Sequence, residues 1–210
     1  MPRAAARRAI KQDRAVQTRK HILDSAITLF ARRGILATTM ADLARAISMT
    51  PGALYWHFPT KEDLLLAAIE ELNGRFLKSF EPVVRQAKHM TAREQLLAVC
   101  DQVANYLGDN REHGIFYGMV GAEAAENAAD VANALREALD FYVETISRII
   151  RRGQESTREF RTDVDARTIG NTFIFGNIGV VLQHNLFRET LTYSPIARTM
   201  NEALVKGLLR

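Results

Sequence analysis

The sequence contains little cysteine and no long hydrophobic segment. Only one of its 210 residues, Cys100, is a cysteine, which excludes an internal disulfide and fits a reducing compartment, while a redox-sensing thiol stays open. The longest strongly apolar stretch, Phe173 to Leu182, is interrupted by glycine and asparagine and has about half the length of a bilayer-spanning helix. The N-terminus is rich in Arg and Ala and lacks the apolar segment of a signal peptide. We therefore expect a cytoplasmic protein with no membrane partner, with an organelle transit peptide as the alternative.

Signatures of catalysis are also missing from the sequence. The five histidines stand at positions 21, 57, 89, 113 and 184, and no two of them have the spacing of metal ligands. A helical enzyme that uses Cys100 with a histidine has no support, because no nucleophile motif or glycine-rich phosphate loop occurs. We predict that the protein is not an enzyme and that it uses no metal and no cofactor.

Positive charge is concentrated in the first third of the chain. Residues 1–62 contain eleven Lys or Arg against four Asp or Glu, a balance of +7, which leaves −3 for residues 63–210 in a chain of net charge +4. A basic N-terminal third fits a polyanion such as DNA. Residues 1–15 taken alone have two interpretations: an arm in which Arg7, Arg8, Lys11 and Arg14 reach the DNA backbone or a minor groove, or a solvated tail.

Apolar residues recur at helical spacing along most of the chain, and no stretch alternates apolar and polar residues long enough to form a convincing strand. The predicted fold class is therefore all-α. From Ile22 to Phe30 the apolar positions form one helical face, and Gly34 is a natural stop for this helix.

Two very short helices are predicted after Gly34. Thr39 and Asp42 have capping-box spacing and open the first, whereas Thr50 and Pro51 supply an N-cap and a first helical position for the second. Two short helices joined by a tight turn, behind a supporting helix and in a basic region, are typical of a helix-turn-helix.

Longer helices are predicted for the remainder. Thr60 with Asp63 and Thr91 with Glu94 again have capping-box spacing. In chain order, the sequence then predicts a loop after residues 108–110, a helix over 134–150, a polar connection over 153–161 and two final helices over about 163–186 and 194–209.

Residues 19–66 resemble the DNA-binding domain of the TetR family of bacterial repressors. The matching segments are Arg19-x-x-Ile22-Leu23-x-x-Ala26-x-x-Leu29-Phe30-x-x-x-Gly34, Thr38-Thr39-Met40-x-x-Leu43-Ala44 and Gly52-x-Leu54-Tyr55-x-His57-Phe58-x-x-Lys61-Glu62-x-Leu64. The turn departs from the family's usual Ala-Gly-Val-Ser, because this chain has Ile47-Ser48-Met49-Thr50 and so lacks the turn glycine.

The resemblance implies a role for each matched residue. Tyr55, His57 and Lys61 would touch the sugar-phosphate backbone, and Thr39 and Thr50 would help to anchor the helices. The positions that would face base edges are Thr50, Pro51, Gly52, Ala53 and Trp56. Because these side chains offer few hydrogen-bond donors, contact with thymine methyls and DNA shape should dominate recognition.

The resemblance also implies three parts: an arm over 1–15, a DNA-binding domain over 16–62 and an effector-binding and dimerisation bundle over 63–210. Candidate pocket residues in the bundle are Cys100, Tyr106, Phe116, Tyr117, Met119, Glu123, Tyr142, Phe173 and Asn177. Candidate dimer-interface residues in the last two helices are Gly176, Gly179, Val180, Met200, Leu204 and Leu208. Some of both sets are expected to fill the core of the monomer instead.

The expected function is that of a transcriptional repressor that binds a palindromic operator as a homodimer and is released by a small hydrophobic or aromatic effector. Two alternatives stay open at this point, namely an activator and a DNA-binding regulator without small-molecule control.

Overall fold

The computed structural model of the protein describes residues 2–187 and 191–210, with side chains from Asp13 onward except that of Asn185. The regular elements in these residues are helices, which confirms the predicted fold class. They are α1 (Pro2–Arg33), α2 (Met40–Ala46), α3 (Pro51–His57), α4 (Lys61–Ser79), α5 (Glu81–Gln86), α6 (Ala92–Asp109), α7 (Arg111–Asn127), α8 (Ala129–Glu155), α9 (Ala166–Leu186) and α10 (Tyr193–Leu208). In the described part of the chain, no helix has the length and apolar character to span a membrane.

The first helix is longer than the sequence predicts at its N-terminal side. It begins at Pro2, so the backbone of the predicted arm continues α1. Arg14 is exposed. The side chains of Arg7, Arg8 and Lys11 lie outside the described residues, and their contact with DNA stays a prediction.

The helix-turn-helix unit is formed by local signals near each helix end. Gly34 ends α1 with a left-handed φ of 77°, which glycine adopts without steric cost. Thr39 and Thr60 form the predicted capping boxes of α2 and α4, and Thr50 caps α3 by accepting the Ala53 N–H. At the turn where the glycine is missing, Ser48 takes a φ of 54°. The turn therefore keeps its left-handed residue, at a cost of roughly 1 kcal/mol for a side chain with a Cβ.

One continuous helix joins this unit to the larger bundle. Leu64 and Leu65 at the start of α4 are buried in the same core as α1, α2 and α3, whereas Phe76 near its end belongs to the core of the C-terminal bundle. The helix α4 has no break between these positions, so it contributes to both cores.

The structure corrects the prediction of a loop after residue 110. Asn110 alone separates α6 from α7, and α7 runs from Arg111 to Asn127 between α1, α8 and α9. Its glycines lower helix propensity, but they let α9 approach closely. A Cβ at Gly114 would lie 2.9 Å from Val181, and one at Gly118 would lie 2.7 Å from Leu182.

The predicted polar connection over 153–161 is also corrected. The helix α8 continues through Gly153 to Glu155, and Phe160 is fully buried against Gly153. A Cβ at Gly153 would lie 2.1 Å from the Phe160 ring. The glycine is therefore a packing residue, and Phe160 forms an isolated antiparallel bridge with Leu209 beside the end of α10.

Candidate DNA-binding surface and ligand cavity

The third helix presents one anchored side and one free side. Leu54 is fully buried and the capping residue Phe58 is nearly so, and together they hold α3 on the helix-turn-helix core. The remaining side chains point outward. Pro51, Gly52, Ala53, Tyr55 and Trp56 are exposed, with Tyr55 49% and Trp56 77% accessible to solvent. The exposed Tyr55 and Trp56 side chains therefore contribute little to the fold of this seven-residue helix, and they are accessible to a partner.

Gly52 supports the same interpretation. A Cβ at this position would meet no atom within 4 Å, so nothing in this chain requires a glycine there. Because Gly52 lies in the first turn of an exposed helix beside the Thr50 cap, its missing side chain leaves room for an external surface to approach the backbone.

The predicted backbone-contact residues surround this helix but differ in their freedom. Thr39 and Thr50 are exposed at the caps of α2 and α3. His57 is half-buried, with its ring edge-on to Trp56 at 4.8 Å. Lys61 is already engaged, because its Nζ donates to the carbonyls of Ile35 at 2.9 Å and Thr38 at 3.2 Å. An ammonium has three donors, so one N–H of Lys61 is left for a phosphate.

A small cavity lies in the bundle between α4, α6, α7, α8 and α9. Its volume is about 40 Å³, and its lining is almost entirely apolar. The lining residues are Phe76, Val103, Leu107, His113, Gly114, Tyr117, Leu139, Tyr142, Ile174, Asn177 and Ile178. Tyr117, Tyr142 and Asn177 are therefore the predicted pocket residues that the structure brings together.

The polar groups around this cavity are satisfied by one another. Asn73 of α4 accepts hydrogen bonds from the hydroxyls of Tyr117 and Tyr142, the latter at 2.7 Å. His113 stacks on Tyr117 at 5.0 Å, and its Nδ1 lies 3.2 Å from the Tyr106 hydroxyl.

These groups are also uncharged at neutral pH. Burial, with a smaller contribution from the positive charge of Arg75, lowers the pKa of His113 to about 3. Burial raises the pKa of Tyr106 to about 12 and also raises the pKa values of Tyr117 and Tyr142. The cavity therefore combines an apolar wall with neutral hydrogen-bonding groups.

A second neutral network is formed by Asn177, which also lines the cavity. Asn177 of α9 accepts the Tyr193 hydroxyl at 3.1 Å and donates to Asn201 at 3.0 Å and to the Phe173 carbonyl at 2.8 Å. These bonds connect the cavity to α10. The predicted pocket residue Asn177 is thus placed, but its amide groups are already paired inside the chain.

The other predicted pocket residues lie elsewhere because neighbouring positions of a helix face different directions. Tyr106 contacts the cavity residues Phe76 and His113. Phe116 and Phe173 are buried in the two cores, and Met119 is 38% exposed. Cys100 is buried beside a separate depression between α6 and α10.

Glu123 points away from the cavity and toward the helix-turn-helix unit. Its carboxylate accepts the Leu36 N–H at 2.8 Å, in the turn between α1 and α2. A Cβ at Gly34 would lie 1.9 Å from the same carboxylate. The structure therefore makes Glu123 a link between α7 and the DNA-binding unit.

The predicted dimer residues divide between an outer surface and the chain's own core. Gly179 faces open space, and Phe175, one turn earlier on α9, is 53% exposed. Gly176 faces Met200 of α10, since a Cβ there would lie 3.2 Å from its sulfur. Leu208 is buried in the chain's own core, which removes it from the predicted interface. Val180 and Leu204 are half-buried and pack against that core.

Eight of the eleven lining residues were not predicted from the sequence, and His113 and Phe76 are the two that carry most of the aromatic contacts. His113 lies in the segment that was interpreted as a loop, from which only Tyr117 was correctly assigned to the cavity, and Phe76 reads as ordinary core on α4. A histidine spaced four residues from a tyrosine, as in His113 and Tyr117, is a helical signal that was available.

A helix-turn-helix unit with an exposed third helix, joined by a continuous α4 to a larger helical bundle, defines a two-domain helix-turn-helix protein. Family models match both parts. Residues 22–68 match the model of the bacterial regulatory proteins of the tetR family, and residues 92–200 match the tetracyclin repressor-like C-terminal domain. The chain therefore belongs to the TetR family.

Similar proteins show how far the likeness extends. The HTH-type transcriptional regulator AcrR of Shigella flexneri is 47% identical over 57 residues, which cover 27% of this chain and 26% of that protein. The alignments with the first such relatives thus span less than a third of their length. The fatty acid metabolism regulator protein of Bacillus subtilis is 24% identical over 157 residues, covering 75% of this chain and 77% of that protein.

A solved structure shares the fold over almost the whole chain. The transcriptional regulator FadR of Bacillus subtilis, solved in complex with stearoyl-CoA, has a TM-score of 0.72 and 21% sequence identity, with 90% of this chain and 98% of that chain covered.

Proposed function

We propose that this protein is a cytoplasmic transcriptional repressor that binds a palindromic operator as a homodimer and releases it when a small hydrophobic or aromatic effector occupies the bundle. The observation that carries the proposal is the free side of α3, where Tyr55 and Trp56 are exposed and Gly52 leaves space above the backbone. This surface matches an element that inserts into a major groove.

The contact residues of the proposal are Thr39, Thr50, Pro51, Gly52, Ala53, Tyr55, Trp56, His57 and Lys61. Contacts with the phosphates position the helix-turn-helix unit, and they come from the cap residues Thr39 and Thr50 and from Tyr55, His57 and Lys61. The outward residues of α3 meet the base edges. Family membership and the similarity to transcriptional regulators support this assignment.

Dimerisation through α9 and α10 would supply a second helix-turn-helix unit, so that each protomer reads one half of the operator. Phe175 and Gly179 lie one turn apart on α9, where Phe175 is exposed and a Cβ at Gly179 would meet open space, and Ile196 of α10 is 36% exposed; such exposed apolar positions suit contact with a second copy of the chain. Two such units related by a two-fold axis read half-sites about 34 Å apart.

Effector control would act through two helices that reach from the cavity to the DNA-binding unit. Asn73 and Phe76 place α4 at the cavity, and Glu123 joins α7 to the turn after α1. A ligand that moves either helix would change the separation of the two units and so favour a state that no longer fits the operator. The apolar, uncharged cavity and the stearoyl-CoA complex of the FadR structure support a hydrophobic effector.

The test is a titration of the purified protein against the intergenic DNA upstream of its own gene, with a scrambled control, at two salt concentrations. We expect sequence-dependent binding by a dimer, and a loss of at least tenfold for Trp56→Ala. Binding no stronger than to the scrambled control, or a Trp56→Ala variant with unchanged affinity, would contradict the proposal.

A matched pair of lysine variants tests the phosphate contacts. Lys61→Ala should reduce the slope of log affinity against log salt by about 1, because one phosphate contact is lost. Lys88→Ala, on the exposed segment after α5, should leave the slope unchanged. Equal slopes for both variants would show that Lys61 serves only the Ile35 and Thr38 carbonyls.

A further inference from the structure

A second, larger apolar space opens on the surface between α4, α5, α6 and α8. This groove has a volume of about 260 Å³ and includes the exposed apolar side chains of Leu77, Val84 and Phe141. The helix α5 forms one wall although none of its residues is buried. Its half-buried Val83 packs against the core of the bundle and its other side chains are exposed, so few apolar contacts hold this wall.

The groove lies beside the inner cavity, and the two spaces share part of their walls. Phe76, Val103, Tyr142 and Ile174 line both spaces, so a rotation of the Phe76 ring would let an occupant of the groove reach the inner cavity. Both volumes lie below the roughly 300–1,000 Å³ of ordinary ligand sites. A slim, flexible chain therefore fits this path better than a fused-ring compound.

One charged residue stands at this groove. Among the described residues that line it, Arg148 is the only one with a charge. Its guanidinium donates to the Thr145 hydroxyl at 3.3 Å, and no carboxylate of the described chain lies at ion-pair distance from it.

Arg148 also borders a depression that contains Glu137, Asp140 and Glu144, none of which lies at ion-pair distance from it. Asp140 pairs with Arg167, and Glu144 pairs with Arg151 and lies 3.7 Å from Arg167. Among the described residues, Arg148 thus has no direct ion pair, and its charge at the lip of an apolar groove complements an anion attached to an apolar tail.

We propose that the groove binds a linear amphipathic anion, with its anionic head at Arg148 and its alkyl tail running along α5 past Phe76 toward the inner cavity. The inference rests on the proposed function in one respect, which is that the anion bound in the groove is the effector that releases DNA. Binding itself requires neither DNA nor release of the operator.

The experiment is calorimetric titration of the full chain with three decyl compounds that share one tail: decanoate, decan-1-ol and decyltrimethylammonium, all below their aggregation concentrations. We expect decanoate to bind more tightly than the other two. Across the series from hexanoate to decanoate, each added methylene should increase affinity about threefold to fourfold while it is buried.

Two variants and a matched control locate the site. Arg148→Gln should weaken decanoate about threefold to tenfold and leave decan-1-ol unchanged. Arg136→Gln removes a nearby exposed arginine that does not line the groove, and it should leave decanoate binding unchanged. Thr145→Trp should block all three compounds, and the chain-length series remains a test if that variant does not fold.

Several outcomes overturn the proposal. Equal affinity for the three heads, or a head preference that survives Arg148→Gln, would exclude Arg148 as the anion site. Affinity that falls as protein concentration rises through the dimerisation range would assign the groove to a second copy of the chain.

Binding of decanoate and release of operator DNA are measured separately, so that the two proposals can fail independently. Decanoate that binds with the expected head preference but leaves operator binding unchanged would uphold the groove and contradict effector-controlled release. Release of the operator by another compound, with no decanoate binding, would overturn the groove and leave the repressor proposal standing.

Discussion

The contact between Gly34 and Glu123 allows a quantitative test of how the DNA-binding unit is attached to the bundle. In Gly34→Ala, the new Cβ would be forced into a left-handed conformation with φ of 77° and would overlap the Glu123 carboxylate, 1.9 Å away. The first effect costs about 1 kcal/mol of unfolding free energy. The second forces the carboxylate away and so breaks its bond with the Leu36 N–H.

The two effects are separable by a double-mutant cycle. Loss of a charge-assisted bond at a half-exposed site costs about 1 kcal/mol, so Gly34→Ala should destabilise the protein by about 2 kcal/mol in total. In a Glu123→Ala background the bond is already absent, and Gly34→Ala should cost only about 1 kcal/mol. The expected coupling between the two positions is thus about 1 kcal/mol.

The assay is urea unfolding followed by circular dichroism, at one fixed protein concentration because dimerisation shifts apparent stability. Glu123→Gln serves as the control, since it keeps an acceptor oxygen at the same reach but removes the charge. A Gly34→Ala penalty that is the same in wild type and in Glu123→Ala would refute the reasoning, because it would show that α7 does not hold the turn through Glu123.

Three further predictions concern single residues. In urea unfolding, Gly52→Ala should leave stability unchanged or raise it by up to about 1 kcal/mol, because the added methyl meets no neighbour. In the DNA titration the same variant should weaken operator binding. Unchanged binding would mean that DNA does not approach the backbone at Gly52. Burial lowers the pKa of His113 to about 3 in the folded protein, so between about pH 6.5 and 3 the unfolded state binds one more proton than the folded state and the free energy of unfolding decreases as pH falls. His113→Phe should remove about one proton from this difference and so reduce the slope of unfolding free energy against pH. An unaltered pH profile would contradict the burial argument. Burial raises the pKa of the Cys100 thiol, so iodoacetamide should label it only as fast as the protein unfolds, and rapid labelling of the folded protein would reopen a redox role.

The sequence was sufficient for the DNA-binding unit because the signals there are local. The hydroxyls of Thr39 and Thr60 cap helices through partners three residues away, and the left-handed residue at the end of α1 is a glycine. Such signals act within one turn of chain and are visible without knowledge of the fold. Even the missing turn glycine left the turn intact, because Ser48 adopts the required φ.

The bundle was harder to predict because its decisive contacts join distant positions. Glu123 was assigned to a ligand pocket from its chemistry alone, whereas its partner Leu36 lies 87 positions earlier in the chain. The helix α7 was missed because Gly114 and Gly118 weaken the helical pattern, and their purpose appears only when Val181 and Leu182 of α9 are placed against them. No local rule connects such positions.

The division of α3 into a buried anchor and a free side has a consequence for how such proteins diversify. Within α3 itself only Leu54 is buried, so the fold constrains one side chain and leaves its outward neighbours to vary. Substitutions at those outward positions can accumulate almost neutrally with respect to folding, and under the proposed function each one would alter the DNA sequence that is preferred. Under that function, new operators would be acquired by drift on one helix while the bundle stays unchanged. The same independence would make α3 the segment to exchange in order to direct the protein to a synthetic promoter.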